Sequence, residues 1–303
     1  MQVLELFAGA GGAALGLHDA GMTHVACVEK DPDACATLRA VGFPTIELDV
    51  RHSLQSCLPH VCVVWASPPC QPYSQAGKRR AQDDDRNLWP DTLRIIDAVK
   101  PRWFVMENVR GLTYHRKGCK PTSPAERCAG CYLEREILPA LRARYPHVWH
   151  GVLNAADYGV PQHRRRLIIV ASHVPFDPPE ATHGPGTDTP YVSCGAALGR
   201  VVIGGGRNPQ SSALAHTRAY RDLTGEPSVT ITACMVGNRG PFTLECGQRR
   251  VLSPDECAIL QGFSPHHPWQ GSTKRSLYRQ VGNAVPPALA EAIGRAIIRS
   301  DNA

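Results

Sequence analysis

Apolar residues in the first half of the chain fall into short runs separated by longer stretches with helical spacing. Strand-like runs occupy 3–7, 24–28, 45–48, 61–66, 103–106 and 166–171, and helical spacing occupies 13–20, 34–40, 93–99 and 133–144. Strands alternating with helices of this length predict an α/β fold, a parallel sheet with helices on both faces. Ligands of such sheets sit at the carboxyl ends of the strands. The alternation stops after Ala171. From about Ser172 to Pro254 the chain is rich in Pro, Gly, Thr and Ser, with β-like runs at 201–203 and 228–232, which predicts a smaller, irregular β-rich domain. Helical pattern returns at 253–261, where Ser253 and Glu256 have the spacing of a capping box, and again at 288–299. The expected division is one domain from 1–171 together with 276–303, and a second from 172–275.

Composition narrows the class. The 303 residues are 43% hydrophobic and 20% charged, ordinary for a globular protein with one good-sized core and a smaller companion. No run of about 18 apolar residues occurs, so no membrane span is expected. The start, Met-Gln-Val-Leu-Glu-Leu, enters a strand pattern at once and lacks the basic and apolar regions of a signal peptide, so the expected compartment is the cytoplasm. Twelve cysteines in such a compartment read as buried thiols, catalytic groups or metal ligands, not as a disulfide frame. The formal charge of +6, with clusters at Lys78-Arg79-Arg80, Arg164-Arg165-Arg166 and Arg249-Arg250, is compatible with a nucleic-acid partner without requiring one.

Candidate chemistry falls where strands end. The segment Phe7-Ala8-Gly9-Ala10-Gly11-Gly12 closes the first strand in a glycine turn and leads into a helix, a geometry that lets backbone approach a ligand. Such a turn equally suits a dinucleotide, S-adenosylmethionine or a plain reversal. Glu29 after the second strand and Asp49 after the third could take ribose hydroxyls and an adenine amino group, and together they favour an adenosine site. After the fourth strand comes Pro68-Pro69-Cys70-Gln71-Pro72, a thiol stiffly held in a loop; a thiolate is a strong nucleophile. Glu107-Asn108-Val109 ends the fifth strand. Gln162-His163-Arg164-Arg165-Arg166 precedes the next, where alternation would turn Arg164 and Arg166 toward one cleft. A thiol, a carboxyl and paired guanidiniums suit the task of making a pyrimidine carbon nucleophilic.

These segments, with Arg250-x-Leu252, Glu256, Leu260-Gln261-Gly262-Phe263 and Gln280-Val281-Gly282-Asn283-Ala284-Val285-Pro286-Pro287, occur in the order found in the DNA cytosine-5 methyltransferases, and the chain resembles that family over nearly its whole length. The resemblance implies a Rossmann-like S-adenosylmethionine-dependent methyltransferase sheet with a target recognition domain at 172–275. It implies transfer of a methyl group to carbon 5 of cytosine in a short sequence of double-stranded DNA, through a covalent bond to Cys70 and base flipping. Cys70 would be the nucleophile, Glu107 would hold the ring nitrogen and Arg166 the ring carbonyl, with Arg164 supporting. Phe7, Gly9, Gly11, Glu29, Asp49, Val50, Leu88 and Asn283 would line the cofactor site. A monomer at the nucleoid is expected, with a cognate restriction endonuclease as a candidate partner.

Other features stand beside the resemblance. Lys78, Arg79, Arg80 and Arg86 in the loop 75–87 could close over the DNA backbone. Glu226 to Ala233 resembles a recurrent patch of the family's recognition domains, and 207–210 and 237–240 hold groups able to read base edges or simply to turn the chain. An insert at about 112–132 departs from the pattern. It carries His115, Cys119, Cys128 and Cys131, spaced His-x3-Cys-x8-Cys-x2-Cys, a set able to make a closed tetrahedral zinc site; the alternative is four unrelated residues in an exposed loop. Rival readings of the whole chain are a tRNA cytosine-5 methyltransferase, which would differ in its recognition segment, and a catalytically silent DNA-binding relative, which the intact Cys70, Glu107 and Arg166 set argues against. A nicotinamide-dependent oxidoreductase would explain the glycine turn but not Cys70.

Overall fold

The structure, a computed structural model, describes residues 1–52, 61–69, 87–116, 118–119, 128–204, 221–233, 241–245 and 248–303. Cys70, the basic residues of the 75–87 loop, and the runs 207–210 and 237–240 lie outside the described residues.

The larger sheet has seven strands: β1 (Gln2–Leu6), β2 (Thr23–Glu29), β3 (Thr45–Glu47), β4 (Val63–Ala66), β5 (Trp103–Val109), β6 (His147–Asn154) and β7 (Arg165–Ser172), in the order β3-β2-β1-β4-β5-β7-β6. Side chains of a strand alternate between faces, and here both faces are buried. Leu4 and Leu6, Val64 and Ala66, Phe104 and Met106, and Leu167 and Ile169 point to one layer. Val3, Val63, Trp65, Trp103, Val105, Ile168 and Val170 point to the other. The first layer is roofed by α3 (Trp89–Val99) and by a helix built from α4 (Ala129–Tyr132), a π turn (Leu133–Ile137) and α5 (Leu138–Arg142). The second is roofed by α1 (Gly12–Asp19) and α9 (Pro287–Asp301), so the C-terminal helix returns to pack beside the first. α2 (Pro32–Val41) links β2 to β3, with Asp31 capping its start.

Two features differ from the sequence reading. The sheet is not wholly parallel: β7 runs antiparallel to both β5 and β6. The link from β6 to β7 holds only a short 3-10 turn (Ala155–Tyr158), too little for a parallel crossover. β6 itself escaped the pattern because, at the edge of the sheet, its residues are mostly half-buried. The helix read at 133–144 starts earlier, at Ala129, and widens into a π turn; Pro139 has no N–H with which to continue the α-helical bonding.

The second sheet is small and antiparallel. It contains β8 (Val202–Gly204), β9 (Arg221–Asp222), β10 (Phe242–Glu245) and β11 (Gln248–Val251) in the order β11-β10-β8-β9. Val202, Leu223, Ile231 and Leu252 share a core with Cys194 of α6 (Cys194–Leu198), with Cys257 and Leu260 of α7 (Pro254–Leu260), and with Val281 of α8 (Lys274–Asn283). α7 has the full capping box: Glu256 N donates to the Ser253 hydroxyl at 3.2 Å, and Ser253 N donates to the Glu256 carboxylate at 2.7 Å. α8 is mostly polar, with Tyr278 and Val281 turned to the second core; Thr273 caps it, accepting from Ser276 N at 3.1 Å. Among the described residues no helix is long and apolar enough to cross a membrane.

Candidate active site

The glycine turn is held in shape from β2. Phe7 and Gly9 both take positive φ, 58° and 54°, so the chain leaves β1 by a conformation that costs a non-glycine residue energy. One carboxylate oxygen of Glu29 accepts from Gly9 N at 2.9 Å, and the other accepts from Lys30 N and Asp31 N, each at 2.8 Å. A carboxylate is the group that can take several donors at once and still keep a lone pair. Gly9 has open space where a Cβ would stand, so a ligand can approach its backbone. Phe7, Val50 and Leu88 pack on one apolar cluster beside this turn. Asp49 accepts from Arg51 at 2.7 Å and stands 3.5 Å from the Lys30 ammonium; the bonds from Arg51 hold its carboxyl well below the usual range. The closing motif reaches the same turn: a Cβ on Gly12 would stand 2.1 Å from the Val285 carbonyl oxygen, so only glycine fits there. Phe7, Gly9, Gly11, Glu29, Asp49 and Val50 thus lie at or just past the carboxyl ends of β1 to β3, and Leu88 comes from the start of α3 into the same apolar cluster as Phe7 and Val50. Asn283, two residues before Val285, is exposed at the end of α8.

The second half of the site is a buried ion pair. Glu107 on β5 accepts from Arg166 Nε at 2.8 Å, across the antiparallel β5–β7 pairing. Both side chains are about nine-tenths buried. Burial pushes the Glu107 carboxyl above its ordinary value, and the charges of Arg166 and Arg164 oppose that shift without cancelling it. Asn108, whose role its sequence neighbours do not indicate, donates to the Pro68 carbonyl at 3.2 Å. It therefore fixes the end of β5 to the segment two residues before Cys70.

Arg164 does not share the orientation expected for it. Its guanidinium is buried and donates to the carbonyls of Ile231, Gly282 and Ala284 at 2.8, 2.9 and 2.8 Å. Strand alternation begins only at Arg165, the first residue of β7, so residue 164 does not follow it. Gln162 extends this network, donating to the Gln261 side chain at 2.6 Å and accepting from Ile231 N at 2.8 Å, while Gln261 donates to the Ala284 carbonyl at 2.6 Å. The Gln162-x-Arg164 pair thus ties β7 to the second sheet's core and to the closing motif, while Arg166 faces the carboxyl.

Beyond Glu107, a 3-10 turn (Arg110–Thr113) leads to the insert, where the donor atoms of His115, Cys119, Cys128 and Cys131 lie within 4.8 Å of one another. His115 Nδ1 is 3.8 Å from Cys128 Sγ and 3.7 Å from Cys131 Sγ. Zn–S bonds of about 2.3 Å and Zn–N bonds of about 2.0 Å place tetrahedral neighbours about 3.5–3.8 Å apart, so these spacings fit. The Cys119–Cys131 separation, 2.9 Å, is shorter than the spacing of two thiolates on one ion. His115 Nε2 meets the Glu134 carboxylate at 3.1 Å, the outer partner that a metal-bound imidazole usually has.

A sheet in the order 3-2-1-4-5-7-6 with an antiparallel seventh strand, a glycine turn after β1 and an acid after β2 defines the fold of an S-adenosylmethionine-dependent methyltransferase. The family model for C-5 cytosine-specific DNA methylases matches residues 1–192 and 201–299. The Type II methyltransferase M1.HphI of Haemophilus parahaemolyticus is 33% identical over 98% of this chain and 86% of its own length. The Type II methyltransferase M.NgoMIV of Neisseria gonorrhoeae is 31% identical over 98% and 97%. The crystal structure of the Dnmt2 methyltransferase of S. pombe shares the fold, with a TM-score of 0.69 at 16% identity over 100% of this chain and 99% of that one. The chain belongs to the C-5 cytosine-specific DNA methylase family, the DNA (cytosine-5-)-methyltransferases. The family implies S-adenosylmethionine as methyl donor, and the open glycine turn, the Glu29 carboxylate and the Phe7–Val50–Leu88 slot fit it.

Proposed function

We propose that this enzyme methylates cytosine within a short duplex DNA sequence, with Cys70 as nucleophile and the Glu107–Arg166 pair as the group that holds the ring. The carrying observation is that the buried pair is tied by Asn108 to Pro68, beside the Cys70 segment. Carbon 5 of cytosine is a poor nucleophile. Addition of the Cys70 thiolate to carbon 6 breaks aromaticity and moves electron density to carbon 5. Glu107 in its protonated form, which burial favours, donates to the ring nitrogen, and Arg166 stabilises charge on the ring carbonyl. The glycine turn and Glu29 would hold S-adenosylmethionine, whose chemistry would be donation of a methyl group to carbon 5, leaving S-adenosylhomocysteine. Loss of the carbon 5 proton to a base and expulsion of the Cys70 thiolate restore the ring. None of this fits a stacked duplex, so the target base is flipped out, at a cost of about a few kcal/mol.

Residues 172–275 are assigned to target recognition, and the Type II names of the relatives support a partnership with a restriction endonuclease. His115, Cys119, Cys128 and Cys131 are assigned as ligands of one structural zinc; the donor set and the Glu134 contact support this.

The covalent step has a direct test. A duplex carrying 5-fluorocytosine at the target, incubated with cofactor, becomes bonded to the wild-type chain and not to Cys70→Ser. Methylation by Cys70→Ser at the wild-type rate would overturn the reading. Metal analysis of purified protein is expected to find about one zinc per chain.

A further inference from the structure

The zinc cluster lies between two parts of the active site. His115 follows the 3-10 turn that leaves β5 just after Glu107. Cys128 precedes α4 and Cys131 lies within it, α4 being the first turn of the helix that continues through the π turn into α5. The end turn of a helix is the part that frays. Gly130 shows how closely the two parts meet: a Cβ there would stand 2.8 Å from the His115 ring, so the imidazole lies flat against the turn. Gly130 N donates to the Tyr114 carbonyl at 3.0 Å, and Arg116 N donates to Cys128 Sγ at 3.2 Å.

The residue after Cys131 is Tyr132, and it faces inward, 2% exposed. Its hydroxyl accepts from Asn87 Nδ2 at 2.9 Å. The Asn87 carbonyl in turn accepts from Trp89 N at 3.3 Å at the start of α3. Leu88 lies between them, buried in the apolar cluster that also takes Tyr132, Val50 and Phe7. From the same helix Arg94 donates to the Val50 carbonyl at 2.7 Å. α3 therefore carries Leu88 at its start and braces Val50 from its middle through Arg94.

We infer that the metal acts on the cofactor site through Tyr132: the ion holds the α4 turn, Tyr132 holds Asn87, and Asn87 holds Leu88 where the cofactor needs it. This rests on the zinc assignment above. Tyr132 and Asn87 are positioning residues; the ion touches neither substrate nor cofactor. One side-chain hydrogen bond has a net worth corresponding to a change of about 3- to 10-fold in an equilibrium constant. Loss of the ion and loss of the Tyr132 hydroxyl break the same chain of contacts, so their effects do not add.

The test is a double cycle read by calorimetry with S-adenosylhomocysteine and no DNA, so turnover plays no part, with zinc content and thermal unfolding measured on every sample. Tyr132→Phe is expected to keep its zinc and its unfolding transition and to bind the ligand about 3- to 10-fold more weakly. Chelating zinc from the wild type weakens binding at least as much, whereas chelating it from Tyr132→Phe adds less than about 2-fold. Asn87→Ala cuts the same bond from the other side and serves if Tyr132→Phe does not fold. A zinc-loaded Tyr132→Phe that binds like the wild type overturns the inference alone, as does a chelation effect equal in both backgrounds. A wild-type chain that carries no zinc overturns the metal assignment and takes this inference with it.

Discussion

Glu107 shows how one side chain acquires a property that its residue type does not have in water. Removal from solvent disfavours the carboxylate, the Arg166 guanidinium at 2.8 Å favours it, and burial is the larger effect. The folded-state value is therefore raised, with two consequences of definite sign. The group's contribution to stability is present below the unfolded value, about 4.3, and is lost as pH rises through the folded value. With Glu107 as the proposed acid, methyl transfer is expected to fall over the same rise. Glu107→Gln is expected to slow transfer about 10²- to 10⁴-fold and to remove that alkaline fall, with cofactor affinity unchanged. Single-turnover rates across pH check it; a mutant with the parent's pH profile would exclude Glu107 as the acid.

Among the elements, those legible in the chain were the ones whose burial follows a simple period. β1, β4, β5 and β7 are apolar on both faces because both faces are roofed. The capping box of α7 was legible because Ser253 and Glu256 bond each other's backbone locally. Ser253→Ala is expected to cost about 1 kcal/mol, seen as a lower urea midpoint with little change in transfer rate. β6 and α8 were not legible. β6 is an edge strand with mixed exposure, and α8 gets its position from partners distant in sequence. Ser276 donates to the Asp33 side chain, and Gln280 Oε1 accepts from Thr37 at 2.7 Å, both on α2.

At the scale of the molecule, the two sheets are joined by buried polar bonds as well as by apolar packing. Arg164 alone reaches Ile231 beside the small sheet and both sides of Asn283 in the closing motif. Arg164→Met removes the donor from three buried carbonyls, at about 1–3 kcal/mol for each that finds no replacement. The expected result is a clearly lower urea midpoint and weaker cofactor binding, since Asn283 loses its anchor. A variant as stable as the parent would show that the clamp is dispensable.

The chain alone determined the alternation of strands and helices, the glycine turn, the acids after β2 and β3, and the motif order that marks the family, because each is written in residues close together in sequence. It also carried the His115, Cys119, Cys128 and Cys131 spacing of the insert. Only the tertiary structure decided the antiparallel placement of β7, the division of labour between Arg164 and Arg166, the hold of Asn108 on Pro68, and the bond from Tyr132 to Asn87. Each of these depends on which backbone groups come within about 3 Å of a side chain. That proximity is set by the packing of segments far apart in the chain, and local spacing carries no record of it.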